Sequence, residues 1–157
     1  MAVEFSQKSL KRFDEIVSRY PKKEAAMLPV LRLAQEEFGY LTSEAIEYVA
    51  RIMELPVARV YGVVTFYTML NMKPVGRHHI QLCRTLPCAL AGAEKISTVI
   101  KAKLRIGPGE TTPDGRFTLS EVECLASCGS GPMMQVNDDY YENLTEEKTA
   151  EILEKLK

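Results

Sequence analysis

The sequence predicts a two-part α/β protein: a helical bundle over residues 1–75, then a small domain over 76–157 with the order β-α-β-β-β-α. Three observations carry this. Apolar residues recur at helical spacing from Leu10 to Val64. After "NMKPVGRHH" the pattern changes to short strand-like runs, "HIQLC" and "FTLSEVEC", separated by a helical stretch. The four cysteines fall in two tight pairs, Cys83/Cys88 and Cys124/Cys128, and each pair begins where one of those strands ends.

In the first part, Leu10, Phe13, Val17 and Tyr20 share one helical face, and Pro21 stops the pattern. Met27, Leu31, Ala34 and Phe38 predict a second helix, with Pro29 near its start and Gly39 as its C-terminal cap. The third helix takes Thr42 or Ser43 as N-cap and Glu44 in its first turn, with Ile46, Val49, Ala50 and Met53 on one face. Pro56 closes it and opens a fourth, whose Val57, Val60, Tyr61 and Val64 stand at i, i+3, i+4 and i+7. "TFYTML" after it is β-prone. All these apolar stripes are expected to be core, as are the methionines near 69–72 and 133–134.

In the second part, "HIQLC" is a strand ending at Cys83, and a helix follows from Pro87 to about Leu104, with Ala93, Ile96, Ile100 and Leu104 in phase. "RIGPGETTPDGR" is a turn-rich loop. "FTLSEVEC" is a strand whose apolar phase flips between Leu119 and Val122, which a bulge or a later start would explain. "PMMQV", Asn137-Asp138-Asp139 and "YYE" predict a hairpin, and a last helix begins at Thr145 and buries Ile152, Leu153 and Leu156. This order is compatible with a small α/β domain of thioredoxin type.

Composition bounds the function. With 46% hydrophobic and 26% charged residues and a net charge of −1, the chain reads as globular, with no reason to invoke nucleic acid or an anionic membrane. The N-terminus has no apolar h-region, and "YGVVTFYTML" is too short to span a bilayer. A cytoplasmic protein is expected, where thiols are kept reduced and paired cysteines point to metal or redox chemistry.

The topology places the cysteines together. A strand, crossover helix and second strand form a right-handed βαβ unit with parallel strands, which end on the same sheet edge. Cys83 and Cys124 therefore emerge side by side, with Cys88 and Cys128 one short loop further on. Pro87 at the first helical position sets Cys88 near a helix N-terminus, where free N–H groups favour a thiolate, and Arg84 adds a positive charge. Gly129 and Gly131 would let backbone approach a bulky inorganic core, and Pro132 fixes the return into the next strand.

Four chemistries compete for such thiols. The compartment argues against disulfides, and a dithiol enzyme would want C-x-x-C, which is absent. Structural zinc prefers two-residue knuckles but tolerates these spacings, so it stays open. An iron–sulfur cluster, needing four thiolates on glycine-rich loops that supply hydrogen bonds, is the leading reading. His78 and His79 read as ordinary strand residues, since the cysteines already suffice. No GxGxxG, Walker loop, Ser/His/Asp set or paired carboxylate stands out, so neither a nucleotide site nor catalysis by this chain alone is expected. The acidic C-terminal helix reads as a solvated face.

"LPVLRLAQEEFGYLTSEAI", "VYGVVTFYTML", "HIQLCRTLPC", "GETTPDGRFTLSEVECLASC" and "VNDDYYENLT" together resemble the thioredoxin-like [2Fe–2S] subunit family of NADH:quinone oxidoreductase, respiratory complex I. The spacing C-x4-C … C-x3-C is the family's. One departure is visible: the family often reads E-C-L-G-A-C, where this chain has Ala126 and Ser127. A positive φ at that glycine would strain Ala126. The resemblance implies that Cys83, Cys88, Cys124 and Cys128 hold one [2Fe–2S] cluster in a thioredoxin-like ferredoxin domain. It implies that the helical part docks on a flavoprotein subunit carrying FMN and binding NADH, and through it joins the rest of the peripheral arm. Location on the cytoplasmic side of the inner membrane, without direct insertion, follows from the same likeness. Four thiolates and two sulfides leave no open position, so such a centre transfers single electrons and binds no reactant. Reduction takes its formal charge from about −2 to about −3, which makes nearby donors and charges the levers on its potential. Two other assignments share the pattern: the diaphorase subunit of an NAD-linked hydrogenase or formate dehydrogenase, and, in another class, a zinc-stabilised interaction module.

Overall fold

The computed structural model describes residues 3–156. The chain divides into two compact units, parting between Pro74 and Val75.

In the first unit, α1 (Gln7–Ser18) starts after Ser6, whose hydroxyl accepts from the Ser9 N–H. It ends two residues before Tyr20, which is exposed and not part of the expected stripe. The residue before a proline is disfavoured in helical conformation, so Pro21 acts upstream of itself. A short 3-10 turn at Lys23–Ala26 leads into α2 (Met27–Phe38), with Pro29 in the first turn, where no N–H partner is needed. Gly39 ends α2 at φ 82°, as a C-cap in left-handed space requires. Thr42 caps α3 (Ser43–Met53) by accepting from the Ala45 N–H at 3.2 Å. Val30, Leu31, Ala34, Ile46, Val49, Ala50, Met53, Val60 and Val64 are buried in one core. Phe5, ahead of α1, joins it between the rings of Phe38 and Tyr48.

The fourth helix departs from expectation. Only Val60 and Val64 of α4 (Val57–Phe66) are buried, while Val57 and Tyr61 stand 46% and 49% exposed. "TFYTML" makes no strand: α4 ends at Phe66, which is 77% exposed, and Met69 is 48% exposed rather than core. A helix buries only the stripe its neighbours can cover, so an apolar face wider than the contact with α3 stays outside.

The second unit is built on a sheet of order β2-β1-β3-β4. β1 (His78–Cys83) and β2 (Phe117–Val122) are parallel, in one-to-one register from His78↔Phe117 to Cys83↔Val122. There is thus neither a bulge nor a later start in β2. Phe117 and Leu119 face the helices, whereas Val122 shares the opposite face with Cys83, and that alternation produces the apparent phase flip. β3 (Met134–Val136) pairs antiparallel with β1 and with β4 (Asp139–Tyr141), the hairpin turning at Asn137, φ 55°. The loop before β2 folds back along its open edge: Gly109 N–H donates to Leu119 O at 2.7 Å and Leu119 N–H to Glu110 O at 3.1 Å.

The expected single helix from Pro87 is two, α5 (Leu86–Leu90) and α6 (Ala93–Leu104). Gly92, at φ 101°, breaks the helical path between them. Thr145 caps α7 (Glu146–Lys155) by accepting from Lys148 N–H at 3.1 Å. Ile80, Leu82, Ile96, Ile100, Leu119, Met134, Ile152 and Leu153 form the core between sheet and helices.

Candidate metal centre

The parallel pair ends where the sequence required. Cys83 is the last residue of β1, opposite Val122, and Cys124 follows β2 by two residues. Arg84 N–H donates to Val122 O at 3.0 Å and Cys83 N–H to Met133 O at 3.2 Å, so three segments meet at this edge.

Cys83 and Cys88 are buried, at 2% and 1% exposure, and pack with Ala93 and Met133; Cys124 and Cys128 are exposed. The sulfurs of Cys124 and Cys128 lie 3.9 Å apart. Burial pulls the Cys83 thiol up, but hydrogen bonds from the Thr85 hydroxyl and from the Leu125 and Thr85 backbone outweigh it, so the thiol lies below its ordinary value. Burial, and then neighbouring Cys83, push the Cys88 thiol up to about 11, against a hydrogen bond from the Met133 backbone. Cys124 raises Cys128, with burial and the more distant Cys83 adding to it. Cys83, Cys88 and Cys128 each feel a neighbouring sulfur, and the influence of Cys83 on Cys128 links the buried pair to the exposed one. They cannot all ionise unless positive charge sits among them. Among the described residues, no three His, Cys, Asp or Glu side chains close on a single ion. The thiols form instead two pairs, one buried and one exposed.

Several backbone N–H groups serve the sulfurs. Beside those to Cys83 and Cys88, the Ala126 N–H donates to Cys124 Sγ at 3.2 Å. Ala126 makes this bond from φ 62°, the left-handed conformation anticipated as a strain on alanine. A Cβ on Gly131 would stand 3.3 Å from Cys88 Sγ and 3.6 Å from Cys88 Cα, so Gly131 is the close backbone approach; one on Gly129 would meet nothing within 4 Å.

Two expected levers are weaker than the sequence suggests. Arg84 is exposed and donates from Nη2 and Nε to Glu123 Oε1 at 3.0 and 3.2 Å, so its charge is matched. The helix at Cys88 is only five residues long, and its macrodipole is correspondingly small. His79 is outside the set, its Nε2 2.8 Å from the Ser120 hydroxyl, with burial holding its ring below the usual value.

Sequence reading missed Thr85, Met133, Tyr140 and Glu142. Thr85 stands at the N-cap position of α5 without a side-chain capping bond, its hydroxyl lying instead 3.2 Å from Cys83 Sγ. Met133 lines the buried thiols while Met134 faces the main core. Tyr140 donates its hydroxyl to Leu125 O at 2.9 Å. Glu142 accepts from both Ser127 and Ser130. Thr85, two residues after Cys83, was the one available signal; nothing local marks the hairpin residues.

A family model described as thioredoxin-like [2Fe–2S] ferredoxin matches residues 13–157. The E subunit of the NADH-quinone oxidoreductase of Rickettsia conorii (strain ATCC VR-613 / Malish 7) is 48% identical over 155 residues, covering 97% of this chain and 93% of the relative. The mitochondrial NADH dehydrogenase [ubiquinone] flavoprotein 2 of Dictyostelium discoideum is 41% identical over 157 residues, covering 98% of this chain and 64% of the relative. Among solved structures, an NAD+-reducing [NiFe]-hydrogenase in the air-oxidised state superposes with a TM-score of 0.70 at 21% identity, covering 83% of this chain and 22% of that one. That likeness bears on the fold alone.

Proposed function

Because the chain belongs to the thioredoxin-like [2Fe–2S] ferredoxin family, we propose that it is the electron-transfer subunit of an NADH-quinone oxidoreductase and holds one [2Fe–2S] cluster on Cys83, Cys88, Cys124 and Cys128. The observation that carries the ligand assignment is the gathering of these four thiols at one sheet edge. The donor set fits the cluster: two neighbouring pairs of thiols, backbone N–H groups aimed at sulfur, and a glycine where a side chain would crowd Cys88. Bound, the cluster supplies one-electron exchange. The chain's part is to hold the sulfurs, to keep water from the buried pair, and to favour the more negative state through N–H donors from Thr85, Leu125, Ala126 and Met133. Zinc is set aside by the family.

The test is anaerobic purification with iron and sulfide analysis and EPR before and after dithionite. About two irons and two sulfides per chain are expected, silent when oxidised and paramagnetic when reduced. One zinc with no sulfide would overturn the reading. Gly131→Ala is expected to lower iron content severalfold, because the added methyl meets Cys88, while Gly129→Ala leaves it unchanged. Equal loss in both variants would refute the close approach.

The partner follows from the same reading. A flavoprotein that bears FMN and binds NADH exchanges electrons with the cluster, and the helical unit docks on it, on the cytoplasmic side of the membrane. Among the described residues no helix is long and apolar enough to cross a membrane. Support for docking is the apolar stretch Tyr61, Phe66 and Met69, exposed at 49%, 77% and 48%. Phe66→Asp is expected to reduce co-purification with the flavoprotein at least about tenfold, with the iron content intact. Undiminished capture would move the docking surface elsewhere.

A further inference from the structure

The segment from Cys124 to Ser130 has no ladder of its own beyond the turn at Cys128–Ser130, yet it carries two thiols and a strained residue. Ala126 stands at φ 62°, costly for any residue with a Cβ, and gains from it an N–H aimed at Cys124 Sγ. Both of its neighbours are gripped. On one side the Tyr140 hydroxyl holds Leu125 O at 2.9 Å. On the other, the Ser127 hydroxyl donates to Glu142 Oε1, which also accepts from Ser130 Oγ at 2.6 Å. Asn143 N–H bonds Ser130 O at 2.7 Å, and Lys148 Nζ lies 2.5 Å from Glu142 O. These two serine hydroxyls also hold the Glu142 carboxyl below the usual carboxylate range.

We infer that the Ser127–Glu142 latch holds Ala126 in left-handed conformation and so keeps Cys124 and Cys128 set for the cluster. The inference rests on the ligand assignment above. Glu142 is a positioning residue; it touches the serines and not the sulfurs. With glycine at 126 the loop would have no drive to relax, and the latch would be redundant.

The test is a double-mutant cycle on the anaerobic holoprotein, following visible absorbance as an iron chelator strips the cluster. Ser127→Ala and Glu142→Gln are each expected to speed cluster loss by about tenfold, as removal of a hydrogen bond involving a charged partner does. Adding Ala126→Gly should return both to within about twofold of the parent, and should restore the EPR g-values if either single change shifts them. Acceleration that persists undiminished beside Ala126→Gly overturns the hold on Ala126 and leaves ordinary loop support. A parent protein without iron and sulfide overturns the ligand assignment instead.

Discussion

Cys88→Ala is expected to leave the purified protein without its cluster while the fold survives. The chain has only four cysteines, so no other thiol is available to take its place. His79, the histidine on the cysteine face of β1, is committed to Ser120. Cys88 is 1% exposed and lies in α5 beneath Gly131, so an alanine there fits the helix and leaves a void the size of one sulfur. The expected stability cost is about 1 kcal/mol, too little to unfold the domain. Iron and sulfide should fall by more than about tenfold, beyond the effect of removing an outer hydrogen-bonding partner. Circular dichroism should remain that of the parent. Retention of two irons by the variant would remove Cys88 from the ligand set, and Arg84→Ala, which breaks only an exposed ion pair, serves as the control.

Gly76→Ala is expected to be the most damaging single-methyl change to stability. A Cβ at 76 would stand 2.8 Å from Arg116 C, 2.9 Å from Arg116 O and 2.9 Å from Phe117 C, all backbone. Those atoms cannot swing aside. His78 N–H bonds Arg116 O at 2.8 Å, and Gly76 N–H bonds Thr118 Oγ1 at 2.7 Å, so the approach is part of the β1–β2 pairing itself. A loss of about 3 kcal/mol follows from overpacking against rigid neighbours, lowering the melting temperature by more than about 10 °C. Gly62→Ala in α4 is the contrasting control: nothing lies within 4 Å and its φ is helical, so helix propensity should stabilise by up to about 1 kcal/mol. A Gly76→Ala protein that melts with the parent would mean that the two strands do not approach this closely.

How much was legible depended on whether the information is local. Thr42, Gly39, Pro29 and Thr145 announce helix ends because caps act through neighbouring residues, and each stands where its chemistry requires. The βαβ order was enough to bring Cys83 and Cys124 to one edge, because strands joined by a crossover run parallel and end on the same side. The helix break at Gly92 could have been suspected, since glycine is a poor helix interior residue; periodicity from Ala93 onward masked it. The exposure of Tyr61 and Phe66 was not legible, because an apolar stripe does not say how wide a neighbour will cover it.

The sequence by itself determined the helical part followed by the α/β part, the parallel pairing and the place of each cysteine pair after a strand, all properties of periodicity, caps and topology. Only the tertiary structure decided what surrounds the sulfurs. Arg84 is spent on Glu123 across two strands, Gly131 rather than Gly129 lies against Cys88, and Glu142 reaches back to Ser127 from beyond a hairpin. Those partners are separated along the chain by folds whose register and φ angles set their distances. A change of one residue in register, or of the sign of φ at Ala126, would point the same atoms elsewhere.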